Sequence, residues 1–129
     1  MNMLTRLAPI AFAAALTAGC VTSTVVSPDG MAEVKLGQTA DFGAAKVTVV
    51  KVLEDSRCPV RVQCVWAGRV KVAVRIENRD GTSVRELTNE APIQAGAGGI
   101  LELLQVRPEK VADRPVSNSD YRFTLRYTR

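Results

Sequence analysis

Three cysteines, two adjacent acids, one serine and the single tryptophan are the residues of this chain with chemistry to offer, and no histidine accompanies them. Cys58 and Cys64 form a C-x5-C pair directly after Glu54 and Asp55. As free thiolates beside those carboxylates they would suit a soft metal ion or a redox sensor. Zinc sites favour closer pairs and four good ligands, and this segment lacks them. No metal ligand and no cofactor is therefore assigned. Glu54 and Asp55 are neighbours on a strand end and face opposite ways, so nothing marks them as an acid–base pair. Without histidine there is no Ser-His-Asp or Cys-His activation, so Ser56 has no base, and imidazole acid–base work and most zinc and copper sites are excluded. No catalytic residue is assigned.

The first of the three cysteines has a different setting. Arg6 and the amino terminus make a short positive region, and Leu7 to Leu16 is apolar apart from Pro9. The stretch is too short to span a bilayer and reads as an export signal over residues 1–19. Thr17-Ala18-Gly19 then lead to Cys20. Small residues before a cysteine resemble the lipobox of bacterial lipoproteins, although Thr17 stands where an aliphatic residue is usual. That resemblance implies diacylglycerol on the Cys20 thiol and cleavage just before it, with several acyl chains giving stable membrane anchoring. Val21 is not the aspartate that resembles an inner-membrane retention signal, so an outer-membrane address facing the periplasm is expected. Residues 20–30, rich in Ser, Thr, Pro and Gly, then read as the lipidated cysteine and a flexible tether.

In an exported chain disulfides form and persist, and with Cys20 accounted for by lipid the remaining pair is expected to be Cys58–Cys64. The surrounding stretch is Asp55-Ser56-Arg57-Cys58-Pro59-Val60-Arg61-Val62-Gln63-Cys64-Val65-Trp66-Ala67-Gly68. It resembles a largely uncharacterised family of small bacterial secreted proteins and lipoproteins. These carry Asp-Ser-Arg-Cys-Pro, a short loop, and Cys-x-Trp-x-Gly. The likeness is specific over these 14 residues and loose elsewhere. It implies a shared β fold with a disulfide loop and brings no catalytic residue.

The elements that must carry this stretch are strands. The chain of 129 residues suits one domain, over residues 31–129, with 47% hydrophobic and 23% charged residues and few aromatics. Ala32–Leu36 is a short strand closed by Gly37. Lys46–Leu53 is apolar on both faces, as a central buried strand would be. From Arg69 to Arg79, Val70, Val72, Val74 and Ile76 alternate with charged residues, which predicts one face on a core. Asp80-Gly81 predicts a tight hairpin into Val84–Thr88. Ala95–Gly99 is a flexible loop, Ile100–Val106 a strand stopped by Pro108, and a helical turn is possible over Pro108–Asp113. Tyr121, Phe123, Leu125 and Tyr127 alternate with Arg122, Thr124, Arg126 and Thr128 in a last strand. The fold expected is all-β, a small antiparallel sandwich or barrel-like domain of about six to eight strands.

Two roles are open to the 55–68 stretch. In one, the disulfide presents Arg57, Val60, Arg61, Val62 and Gln63 as a pre-ordered loop for a partner. In the other it is a structural knot: Trp66 fills the core, Asp55 and Arg57 pair or cap turn amides, Pro59 and Gly68 shape the turn, and the bond pins a long crossover. The net charge of +4 is mild and spread, with no basic block of the kind that binds nucleic acid. The basic positions Arg69, Lys71, Arg75, Arg79, Arg122 and Arg126 form a face that could meet anionic lipid or an acidic protein. The reading that follows is a non-catalytic binding or structural module of the cell envelope, held to the membrane by its lipid, with an envelope protein as a possible partner. Its alternatives are a carboxylate-based enzyme acting on envelope glycans, which needs two acids across a cleft about 5–10 Å apart, and a metal or redox sensor using Cys58 and Cys64.

Overall fold

The computed structural model describes residues 23–27, 29–96 and 98–129. The signal segment and Cys20 lie outside the described residues. Among those described there is no helix, and nine strands form two open sheets. They are β1 (Thr24–Val26), β2 (Met31–Lys35), β3 (Thr39–Asp41), β4 (Lys46–Asp55), β5 (Val70–Asn78), β6 (Gly81–Thr88), β7 (Ile93–Gln94), β8 (Ile100–Arg107) and β9 (Arg122–Thr128). The first sheet has the order β1-β3-β4-β5-β6 and the second β2-β9-β8-β7. The domain is therefore a sandwich and not a closed barrel. The count exceeds six to eight because β1, β3 and β7 are pieces of two or three residues.

The alternating patterns land as expected. Val70, Val72, Val74 and Ile76 of β5 are buried, and so are Tyr121 and then Phe123, Leu125 and Tyr127 of β9. They close on Val34, Val47, Val49, Leu87, Leu101 and Leu103 in one core between the sheets, the driving force for bringing the two layers together. The β5–β6 hairpin turns on Arg79 and Asp80, with Asn78 opposite Gly81. The Asn78 side chain accepts from the Asp80 amide at 2.9 Å, and Gly81 takes a positive φ of 119°.

Two local expectations are corrected. Thr24–Val26, placed in the tether by composition, pairs parallel with β3. No helical turn forms over Pro108–Asp113; that connection instead bends through a Val111–Arg114 bridge. In the 95–99 loop the Ala95 amide donates to the Gly99 carbonyl at 2.8 Å; Ala97 lies outside the described residues.

Strand β4 is central, as its apolar run implies, but it is not buried on both faces. Its register against β5 slips between Val49 and Lys51 and again between Val52 and Glu54. Each bulge leaves one residue without a partner and reverses which side chains face inward. Val50 and Leu53 are the extra residues, and both are exposed. The first bulge keeps Lys51 out of the core. The second returns odd positions to the inner side, so that Asp55, opposite Val70, aims its carboxylate towards the second sheet.

Candidate functional site

Beyond β4 and β5 the same ladder continues. The Ser56 amide donates to the Arg69 carbonyl at 2.8 Å and the Cys58 amide to the Ala67 carbonyl at 3.2 Å, in the register of Asp55 opposite Val70. The stretch is thus the extended arm of a hairpin, not a long crossover, since the strands it joins are neighbours in one sheet. The Ser56 hydroxyl accepts from the Arg69 amide at 3.0 Å and donates to Glu54 at 3.1 Å. Gly68, opposite Arg57, holds a φ of +69°. The Cys58–Cys64 disulfide closes the tip, with Cα atoms 6.0 Å apart. With both sulfurs in that bond, neither is a thiolate ligand. Among the described residues no three His, Cys, Asp or Glu side chains come together as a metal site would need.

The arm is bolted to the other sheet by Asp55 and Arg57. The guanidinium donates through Nε and Nη2 to the two carboxylate oxygens, both at 2.8 Å, the bidentate geometry that gives charged pairs their strength. Its Nη1 donates to the carbonyls of Val106 and Pro108, each at 3.0 Å. Tyr121 donates its hydroxyl to Asp55 at 2.8 Å, and Lys110 donates to the Asp55 carbonyl at 2.7 Å. The Asp55 and Arg57 side chains are 11% and 16% exposed. Burial alone would raise the Asp55 carboxyl, but the hydrogen bonds from Arg57 and Tyr121 outweigh it and hold the group below its ordinary value. The hydrogen bond to Asp55, opposed by burial, raises Arg57 above its own. Arg57, counted among the presented residues on sequence grounds, is therefore turned inward.

Tyr121 was read only as a core aromatic. Its hydroxyl needed a partner in that position, and Asp55, far away in sequence, supplies it. Burial first, and then the bond to Asp55, push the phenol up to about 12. The folded state binds this proton more tightly than the unfolded chain. Its contribution is therefore complete below the ordinary phenol value near 10 and is lost as pH rises through 12. Urea unfolding of the native chain is expected to lose roughly 2–3 kcal/mol across that window relative to Tyr121→Phe. Parallel pH curves for the two would show that the hydroxyl is not held as described.

Outside this bolt, Glu54 points the other way from Asp55. It is lowered first by its hydrogen bond from Arg69 and then by that from Ser56. The two neighbouring acids face apart, as adjacent strand residues must. The basic positions are not one face. Arg69 pairs with Glu54 and Glu90, Lys71 with Glu86, Arg75 with Glu77, and Arg126 with Glu102. Arg122 and Arg126 stand on the second sheet, away from β5.

The tip is what the bolt holds out. Val60, Arg61, Val62, Gln63 and Cys64 are exposed, while Pro59 is half-buried. Arg61 turns in the left-handed region at φ 60°, uncommon for a side-chain-bearing residue. Trp66, expected in the core, is 82% exposed, and Val65 beside it is 91% exposed. The indole borders an open cleft with Glu54, Ser56 and Arg69 instead of the space between the sheets. Val65 is the presented residue that sequence reasoning missed; it follows Cys64 with no core position in register to receive it. Trp66→Ala should change unfolding free energy by less than about 0.5 kcal/mol, as a urea midpoint would show. A large-aromatic loss of about 3 kcal/mol or more would return the indole to the core.

A shallow, open cleft of about 350 Å³ is lined by the indole itself with Glu54, Ser56, Ala67, Gly68, Arg69 and Glu90. Its two carboxylates are bridged by Arg69. Another hollow, of about 530 Å³, lies elsewhere, among Gly43–Lys46, Glu77–Arg79 and Arg129, and shares no residue with the motif. Comparison of the chain with known protein families, with curated proteins and with solved structures found no match.

Proposed function

We propose that this chain is a lipid-anchored protein of the cell envelope whose stapled loop is a non-catalytic binding surface. On this reading residues 1–19 direct export, the lipid on Cys20 holds the protein to the outer membrane facing the periplasm, and the sandwich serves as a rigid base. The observation that carries it is the exposure of Trp66 and Val65 on an arm fixed by a disulfide and by the Asp55–Arg57 pair. An apolar tip that a fold could have buried, yet holds rigidly in water, has the character of a contact surface. Rigid aromatic anchors lose little entropy on binding.

The test is a photo-crosslinking residue placed at Gln63 in the full exported chain, with the same residue at Thr82 on the distant hairpin as comparison. A discrete adduct from position 63 alone supports the reading, whether the captured species is protein or lipid. No adduct from position 63, or the same adducts from both positions, would overturn it.

A further inference from the structure

We infer that the tip of the stapled arm seats in the anionic headgroup layer of the membrane that holds the lipid on Cys20. The inference rests on the lipid-anchored reading above and names what the loop contacts. Its first support is the composition of the tip. Val60, Val62, Val65 and Trp66 are exposed between positions 60 and 66, and Val111 is exposed nearby, where the Val60 amide donates to the Lys110 carbonyl. From Ser56 to Ile76 the chain has no acidic residue. Arg61 stands exposed among these valines with no ion pair among the described residues. The carboxylates that share the cleft with the indole, Glu54 and Glu90, are both paired with Arg69. Aliphatic side chains, one indole and one free guanidinium on a convex tip match a bilayer interface, where Trp sits at headgroup depth and Arg meets lipid phosphate.

The second support is the path of the chain. Strand β1 runs parallel to β3 and antiparallel to β4, so its first residue, Thr24, faces the end of the sandwich from which the arm projects. Thr24, Thr39 and Thr48 are level across the sheet. From Thr48 to Asp55 the β4–β5 ladder advances five steps, about 17 Å. Cys20 is four residues before Thr24, a reach of at most about 14 Å. A lipid on Cys20 would therefore hold the domain against the bilayer by the end of β1 that faces the side from which the arm projects.

Trp66 is the only tryptophan and so reports on its own surroundings. The full chain would be purified from bacterial membranes, its lipid verified by intact mass, and placed in vesicles of phosphatidylethanolamine and phosphatidylglycerol. Trp66 emission should move to shorter wavelength, acrylamide quenching should fall several-fold relative to Val65→Asp in the same vesicles, and lipids brominated on their acyl chains should quench the native protein more. In phosphatidylcholine alone the protection should weaken. Equal quenching of native chain and Val65→Asp, both anchored, would overturn the inference and leave the loop free for a protein partner. Equal protection in neutral and anionic vesicles would overturn the role given to Arg61. A purified chain without lipid would overturn both this inference and the anchored reading.

Discussion

Asp55→Ala is expected to destabilise the domain by about 2–4 kcal/mol, lowering its melting temperature by roughly 10–20 °C. The substitution removes one carboxylate but strands four donors, the Arg57 amide at 3.4 Å among them. Arg57 loses both of its side-chain bonds to Asp55, and the Tyr121 hydroxyl loses its acceptor. An uncompensated charge in a mostly buried place costs far more than the pair itself contributes. The slight exposure of both side chains sets the estimate at the low end of the range for buried pairs. Arg57→Ala on top of Asp55→Ala should recover part of the loss, and the non-additivity of that cycle measures the coupling. The pH dependence has the opposite direction to that of Tyr121. Because the Asp55 carboxyl is held below its ordinary value, its contribution is complete above the unfolded value near 4. It is lost as pH falls through the lower folded value. Below about pH 4 the native chain should lose stability more steeply than Asp55→Asn, as thermal melts across the acid range would show. Melting of Asp55→Ala within a few degrees of the native chain would mean that the arm is held by the disulfide and the ladder alone.

That bolt also marks where the sequence stops being legible. The alternation of Val70, Val72, Val74 and Ile76, and of Tyr121, Phe123, Leu125 and Tyr127, is written locally, because successive strand residues face opposite sides whatever lies beyond. The Cys58–Cys64 bond is the pairing that the export reading and the cysteine count point to. What fails to read out is whatever depends on register with a distant partner. Nothing in Lys46–Asp55 says that Val50 and Leu53 are bulged outward; the slips exist only against β5. Thr24–Val26 looks like tether because its pairing is with β3, and three residues are too few to carry a pattern. Asp55 and Arg57 could be paired on paper, but the acceptors on Val106 and Pro108 and the Tyr121 hydroxyl are brought there by the second sheet. The structural-knot role puts Trp66 in the core. Its position in the arm, beside an open cleft and not between the sheets, decides otherwise, and burial depends on position as well as on type.

Gly68→Ala is expected to cost about 2–5 kcal/mol, for two separable reasons. At φ +69° an L side chain meets a backbone penalty of about 1–2 kcal/mol. A Cβ at this place would also run into the Ser56 carbonyl, with the Arg57 Cα close behind. Neither is the flexible end of a side chain, so the two limbs of the arm must move apart, at a cost of roughly 1–3 kcal/mol for overpacking. Gly37→Ala supplies the comparison: its φ is +80°, but a Cβ there meets nothing within 4 Å, leaving only the backbone penalty. The difference between the two urea midpoints isolates the collision. Separation of the limbs would loosen the bonds of Ser56 to Arg69 and of Cys58 to Ala67, and with them the base of the tip. Gly68→Ala should therefore weaken the photo-adduct at position 63 even where the chain remains folded, and Gly37→Ala should not. Equal costs at the two glycines would mean that the arm yields easily, and a pliant arm would remove the rigidity on which the presentation of Trp66 depends.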